Sequence, residues 1–126
     1  MPSPTEIKRA ARTFAQEWTG TGNEKSDTQK FWLELMRDVL GMADTTAGVH
    51  FETRTSKHGW IDVVIPDAKT IIEQKSLEVD LDRPELRQGQ MVTPFEQAKN
   101  YADSLPNSKR PDYIVVCNFD EFRLHL

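Results

Sequence analysis

Asp62, Glu73 and Lys75 are the residues of this sequence best suited to chemistry, set in the pattern Asp-X10-Glu-X-Lys across two β-rich runs. Two carboxylates and an ammonium group together suit metal-dependent cleavage of a phosphodiester. The carboxylates can hold a hard divalent cation, and the lysine supplies a point charge for the scissile phosphate or for the water that attacks it.

Strand periodicity decides whether the three can meet. Trp60-Ile61-Asp62-Val63-Val64-Ile65-Pro66 and Thr70-Ile71-Ile72-Glu73-Gln74-Lys75-Ser76 are β-rich and separated by turn-prone Asp67-Ala68-Lys69. They predict an antiparallel hairpin. Alternation puts Glu73 and Lys75 on one face and Gln74 on the other. A two-residue loop at Asp67-Ala68 sets position 66 opposite 69 and position 62 opposite 73, making the carboxylates a cross-strand pair with Cβ atoms about 4.5–5.5 Å apart. Like charges that close repel unless a cation lies between them. Mg2+ or Mn2+, completed by water and phosphate oxygens, meets that need. A solvated strand face is the simpler reading of an acid-X-Lys triplet taken alone. Against it, Val63, Ile65, Ile71 and Ile72 make the hairpin apolar on both faces. That pattern belongs near the middle of a sheet, where three charged groups need a function.

The surrounding residues add a resemblance. Asp62, Glu73 and Lys75, within an order of helices, three strands, helix and strands, resemble the PD-(D/E)XK nuclease superfamily. Glu73-Gln74-Lys75-Ser76-Leu77, Val79-Asp80-Leu81-Asp82, Arg87-Gln88-Gly89, Thr93-Pro94-Phe95-Glu96-Gln97-Ala98, Tyr101-Ala102-Asp103-Ser104-Leu105-Pro106 and Cys117-Asn118-Phe119-Asp120-Glu121-Phe122 resemble the N-terminal region of MmeI-like (Type IIL) restriction–modification enzymes. The similarity runs from about Phe14 onward. It implies an endonuclease domain, followed in the parent polypeptide by a helical spacer, an adenine-specific DNA methyltransferase and a target-recognition domain. Asp62, Glu73 and Lys75 are the residues that carry over. The Asp-to-Glu spacing is one residue longer here than in the family's best-known member, which leaves the turn and the pairing register open.

Composition limits the alternatives. A chain of 126 residues is sized for one domain with a single core, so residues 1–126 read as a single endonuclease-like domain. One cysteine excludes an internal disulfide, and the sequence has neither a signal peptide nor an apolar run long enough to cross a membrane. A cytoplasmic protein of a bacterium or archaeon, without a membrane partner, is the expectation. Cys117, in Tyr113-Ile114-Val115-Val116-Cys117, reads as a small buried hydrophobe. His50, His58 and His125 have no ligand spacing. The net charge of −4 opposes unaided DNA binding, which is largely electrostatic. The domain is therefore expected to rely on other parts of a larger protein to find double-stranded DNA.

The elements that must position the site follow from punctuation and period. Residues 5–18 carry an apolar stripe of Ile7, Ala10, Ala11, Phe14 and Trp18, which predicts a helix with one wet face. Residues 19–25, with two glycines, read as a flexible loop. Ser26-Asp27-Thr28-Gln29 has the form of a capping box opening a buried second helix to about Leu40, ended by Gly41. Alternation over residues 49–55 predicts the first strand, with Lys57-His58-Gly59 turning into Trp60. Leu77 to Val92 shows no period and reads as a long loop of the kind that binds or closes over a site. Within it Arg83, Arg87, Gln88 and Gln90 could touch a DNA backbone, a solvated loop being the simpler reading. Thr93-Pro94-Phe95-Glu96 is a second capping box, opening a helix to about Ser104 that buries Phe95, Ala98, Ala102 and Leu105. Residues 113–118 and 122–126 form a last hairpin about Phe119-Asp120-Glu121. The chain stops on that strand with no tail, which reads as a cut within a longer protein or a truncated gene; the resemblance implies that it is the N-terminal piece of a larger methyltransferase-fused protein.

The expected fold is α/β: a restriction-endonuclease-like α/β/α sandwich around a central mixed β-sheet, in the order α-α-β-β-β-α-β-β. The connection from the Lys75 strand through the third helix is long enough to bring Tyr113 in parallel. Glu24 and Glu34 could add a metal or water ligand, simple solvent exposure being preferred for both. Gln97 and Tyr101, one helical turn apart, could reach the site or serve ordinary packing hydrogen bonds. The functional expectation is a Mg2+-dependent endodeoxyribonuclease in which Asp62, Glu73 and the Gln74 backbone carbonyl hold the metal and Lys75 faces the phosphate. No S-adenosylmethionine-binding or methylating motif is present, so that cofactor would enter only through the parent's other domains. The alternative is a catalytically inactive nuclease-fold module that positions DNA or a partner domain, against which the intact Asp62, Glu73 and Lys75 argue.

Overall fold

The computed structural model describes residues 2–54 and 59–126. Thr55 and the expected turn residues Lys57 and His58 lie outside the described residues. Helix α1 (Pro4–Trp18) starts one residue earlier than the apolar stripe implies, because Ser3 and Glu6 close a capping box ahead of it. Helix α2 (Thr28–Glu34) runs on as a π-helical segment, Leu35–Val39, before Gly41 turns the chain at φ +75°. The capping box expected at Ser26–Gln29 does not form. Residues 23–27 already make their own turn, so the Asp27 carboxylate accepts from the Asn23 N–H and leaves the helix end uncapped. A single-turn helix, α3 (Thr45–Gly48), capped by Asp44, has no counterpart in the sequence reading.

The strands are β1 (His50–Arg54), β2 (Trp60–Ile65), β3 (Thr70–Gln74), β4 (Glu85–Arg87), β5 (Gln90–Val92), β6 (Tyr113–Cys117) and β7 (Phe122–His125). Five of them form one mixed sheet in the order β1-β2-β3-β6-β7. β3 is its centre, antiparallel to β2 and parallel to β6. The parallel pairing follows from the intervening helix α4 (Pro94–Asp103), which carries the chain back to the starting edge. Its N-terminus is the expected capping box, Thr93 with Glu96, and Pro94 fills the first turn. The observed order thus departs from the expected one by α3 and by the ribbon β4–β5.

That ribbon corrects the reading of Leu77 to Val92 as a structureless loop. Glu85↔Val92 and Arg87↔Gln90 pair across Gln88 and Gly89, whose φ angles of +51° and +81° are those of a tight hairpin turn. Strands of three residues are too short for a periodic signal.

Two apolar clusters sandwich the sheet. Phe31 and Trp32 of α2, Trp18 of α1 and Phe119 pack on Val63, Ile65 and Ile72. Ala98 and Ala102 of α4, with Leu81, pack on Ile71, Ile114 and Val116. Phe31 is fully buried and its ring meets those of Phe14, Trp18, Trp32 and Phe119. Leu40, expected inside, is exposed at the ragged end of its helix. Gly22, in the loop read as a flexible connector, is instead packed tight: a Cβ there would lie 2.3 Å from the Phe119 ring. Its carbonyl accepts from Leu77 at 3.0 Å, fastening the loop to the end of β3.

Candidate active site

The hairpin of β2 and β3 closes through a short 3-10 turn, Pro66–Ala68, with Lys69 at φ +50° returning its N–H to Pro66. Val63↔Ile72, Val64↔Ile71 and Ile65↔Thr70 pair across it. This four-residue connection keeps the register that a two-residue loop would set, so position 62 stands opposite 73. The ladder is not continued there by backbone groups. The Asp62 carboxylate instead accepts the Gln74 N–H at 2.8 Å, and the Glu73 and Asp62 carboxyls are hydrogen-bonded to each other.

Glu73 is 4% exposed. Burial pushes its carboxyl well above the usual range, and the Asp62 charge pushes the same way. Burial also raises Asp62, although the Gln74 N–H, the hydroxyl donated by Glu73 and the Lys75 charge pull it back. Both carboxyls are thus shifted toward their protonated forms, Glu73 the more strongly, as expected of two acids buried side by side.

Gln74 takes the opposite face, as alternation requires. Its Oε1 accepts from the Trp32 indole at 2.7 Å and its Nε2 donates to the Lys75 carbonyl at 3.0 Å. The side chain between the two site residues therefore ties β3 to α2. Lys75 lies one residue past β3, its N–H continuing the parallel ladder to the Cys117 carbonyl at 2.7 Å. It is 5% exposed, not the solvated lysine of a wet strand face. Its ammonium donates to Gln97 Oε1 at 3.4 Å and lies 3.9 Å from Glu85 Oε2.

A cleft of about 570 Å³ opens over these groups, and Asp62, Glu73, Lys75, Glu24, Gln97 and Tyr101 line it together. Glu24 is brought in from before α2 by a hydrogen bond from its N–H to Ser76 Oγ at 2.9 Å, and its charge acts on Glu73. Gln97 reaches from α4, bridging Lys75 to the Tyr101 hydroxyl at 2.7 Å. Burial raises the Tyr101 phenol. Arg87 stands at the mouth on β4. Gln88 borders a smaller neighbouring pocket with Arg87, Gln97 and Tyr101, while Arg83 lines neither of these two cavities.

Glu34 does not belong to the site. Its carboxylate accepts from the Trp18 indole at 2.9 Å, on the far side of α2, and so clamps α1 to α2. Cys117 is buried among apolar neighbours, its thiol pushed up to about 11 by burial. His50 is exposed on β1 with its ring against the Ala47 carbonyl, and His125 stacks on Phe95 at 4.0 Å.

Glu52, which lines the cleft, and Glu85, whose carboxylate approaches Lys75 from β4, are groups that sequence reasoning missed. The pairs Phe51↔Val63 and Thr53↔Ile61 set Glu52 across from Asp62, and its charge raises Asp62 further. Glu52 has φ +50°, and at this level the sheet changes face: Ile61 packs toward α4 although Val63 packs toward α2. The length of the β1–β2 connection, had it been known, would have revealed Glu52 by register alone.

The donors present fit a hard divalent ion. Mg2+ needs only one or two carboxylates, completed by water and phosphate oxygens. Two buried carboxyls converging on one cleft match that demand. Among the described residues no group of three or more His, Cys, Asp or Glu side chains is placed to hold a metal. No helix among them is long and apolar enough to cross a membrane.

The family described as MmeI, N-terminal domain, matches residues 9–126. No curated protein and no solved structure matches the chain.

Proposed function

From the premise that this chain belongs to the family of the MmeI N-terminal domain, and so to a region of restriction–modification enzymes, we propose that it is the DNA-cleaving domain of such an enzyme. On this reading the fold is the restriction-endonuclease-like sandwich of the PD-(D/E)XK nucleases, and residues 1–126 form a single such domain. The observation that carries it is the convergence of the Asp62 and Glu73 carboxyls in a cleft that also holds the buried Lys75 ammonium.

Asp62, Glu73 and the Gln74 backbone carbonyl would hold Mg2+ or Mn2+. Bound there, the cation supplies positive charge to the phosphate and acidifies an attacking water. The remaining work falls to the protein. Lys75, fixed by Gln97, presents its ammonium where negative charge develops on the phosphate. Gln97 is itself held by Tyr101, so the amine keeps one position instead of sampling rotamers. Glu24 lies where it could accept a proton from the attacking water or complete the cation's shell.

Arg87, with Gln88 and Arg83, would meet the DNA backbone. Double-stranded DNA is the substrate, and the methyltransferase and target-recognition domains are partners in a larger polypeptide. S-adenosylmethionine serves those domains alone. The proposed compartment is the bacterial or archaeal cytoplasm.

The test is calorimetric titration of wild type and Glu73→Ala with Mn2+ and Mg2+, paired with plasmid nicking. Wild type should bind and cut, and Glu73→Ala should do neither. Equal metal binding by both proteins would remove the acid pair from the site. Metal binding without cleavage by any assembled parent would favour the inactive positioning module, a reading helped by the chain's net charge of −4.

A further inference from the structure

We infer that Lys75 and Arg87 form an oxyanion site for a phosphate group, and that Glu85 fills it when no substrate is bound. The inference rests on the nuclease reading for its biological ligand. Its geometry stands without it.

Glu85 Oε2 accepts from Arg87 Nη2 at 2.7 Å and lies 3.9 Å from Lys75 Nζ. Two cations from different elements, the end of β3 and strand β4, therefore converge on a single carboxylate oxygen. A phosphate oxygen is an equivalent acceptor, and the planar guanidinium fork bonds either anion in the same way. The Lys75 ammonium is nearly buried, and its other acceptor, Gln97 Oε1, is neutral. A charge so placed needs an anion. Asp62 and Glu73 face it from inside the cleft, and Glu85 provides the anion on its outer side.

The carrier of that anion belongs to a different element from the lysine. β4 and β5 form a two-stranded ribbon that is not laddered into the main sheet. Glu85 and Arg87 themselves are part-exposed, in contrast to Lys75. A small displacement of the ribbon withdraws Glu85 and exchanges one anion for another, leaving Lys75 compensated throughout. Arg87, released from Glu85, turns to the incoming phosphate. The bland account is a surface ion pair between neighbouring ribbon residues, and it predicts no change in anion affinity when Glu85 is neutralised.

Inorganic phosphate is the probe, titrated without divalent metal and at fixed ionic strength against wild type, Glu85→Gln and Glu85→Gln/Arg87→Ala. Side-chain NMR signals of Lys75 and Arg87 give the readout, and thermal melts check folding. Glu85→Gln removes the competing charge with an isosteric amide, so phosphate should bind about tenfold more tightly, the worth of one charge-assisted hydrogen bond. Adding Arg87→Ala should abolish the gain. An unchanged affinity in Glu85→Gln, or a gain that survives Arg87→Ala, overturns the site. Duplex cleavage by the same proteins separates the two readings. Tighter phosphate binding in a protein that never cuts DNA keeps the oxyanion site and sinks the nuclease; cleavage with no gain in phosphate affinity does the reverse.

Discussion

Burial raises the carboxyls of both Glu73 and Asp62, and this gives the site a pH signature. For an acid whose folded-state value is raised, the stabilising contribution is complete below its ordinary value, about 4.3 for glutamate, and is lost as pH climbs through the raised value. Both carboxyls are shifted in that direction. The metal-free protein should therefore lose thermal stability as pH rises above the ordinary glutamate range. Glu73→Gln, which keeps a donor for Asp62 and cannot ionise, should flatten that decline. Melting curves in chelator across pH would show it, and parallel slopes for the two proteins would mean that Glu73 is not raised. Lys75 is the other residue whose effect depends on burial. At 5% exposure its loss leaves neighbouring acids without their cation, so Lys75→Ala should cost about 1–3 kcal/mol in denaturant unfolding as well as abolish cleavage. Undiminished cutting by a folded Lys75→Ala protein would exclude the lysine from the mechanism.

At the scale of elements, the site depends on how β3 is pinned at its end. The loop before α2 does this twice, through the Gly22 carbonyl to Leu77 and the Glu24 N–H to Ser76. Gly22 can approach so closely because it has no Cβ, and an added methyl would meet the ring of Phe119, itself packed against Trp18 and Phe31. Gly22→Ala should accordingly destabilise the fold by about 1–3 kcal/mol, the usual cost of overpacking. Urea unfolding measures it, and a neutral result would show that the Phe119 ring can step aside. The Trp32–Gln74 hydrogen bond works on the other face, fixing α2 to the residue that separates Glu73 from Lys75. Among the described residues no buried side-chain N or O lacks a partner, so this bond is part of a fully satisfied core.

At the scale of the whole molecule, charge decides what the domain can do unaided. A net charge of −4 offers few phosphate contacts, and each one missing reduces the log–log salt dependence by about 0.9. The isolated chain should bind duplex DNA weakly and without sequence preference, as anisotropy at several salt concentrations with random and varied duplexes would report. Tight binding to one sequence would show that it carries its own specificity. The turn and register of the β2–β3 hairpin were left for the fold to settle, while the sequence by itself determined the hairpin, the α4 capping box and the opposite faces of Glu73 and Gln74. Each follows from local period, turn residues and the need to bury Val63, Ile65, Ile71 and Ile72 on a two-sided sheet. Only the tertiary structure decided that Lys75 is buried, that Glu34 belongs to Trp18, that Gly22 meets Phe119, that Glu52 lines the cleft and that Glu85 approaches Lys75. Those facts join residues far apart in the chain, or ride on strands too short to leave a period. They exist only once the sheet has brought separate segments against one another.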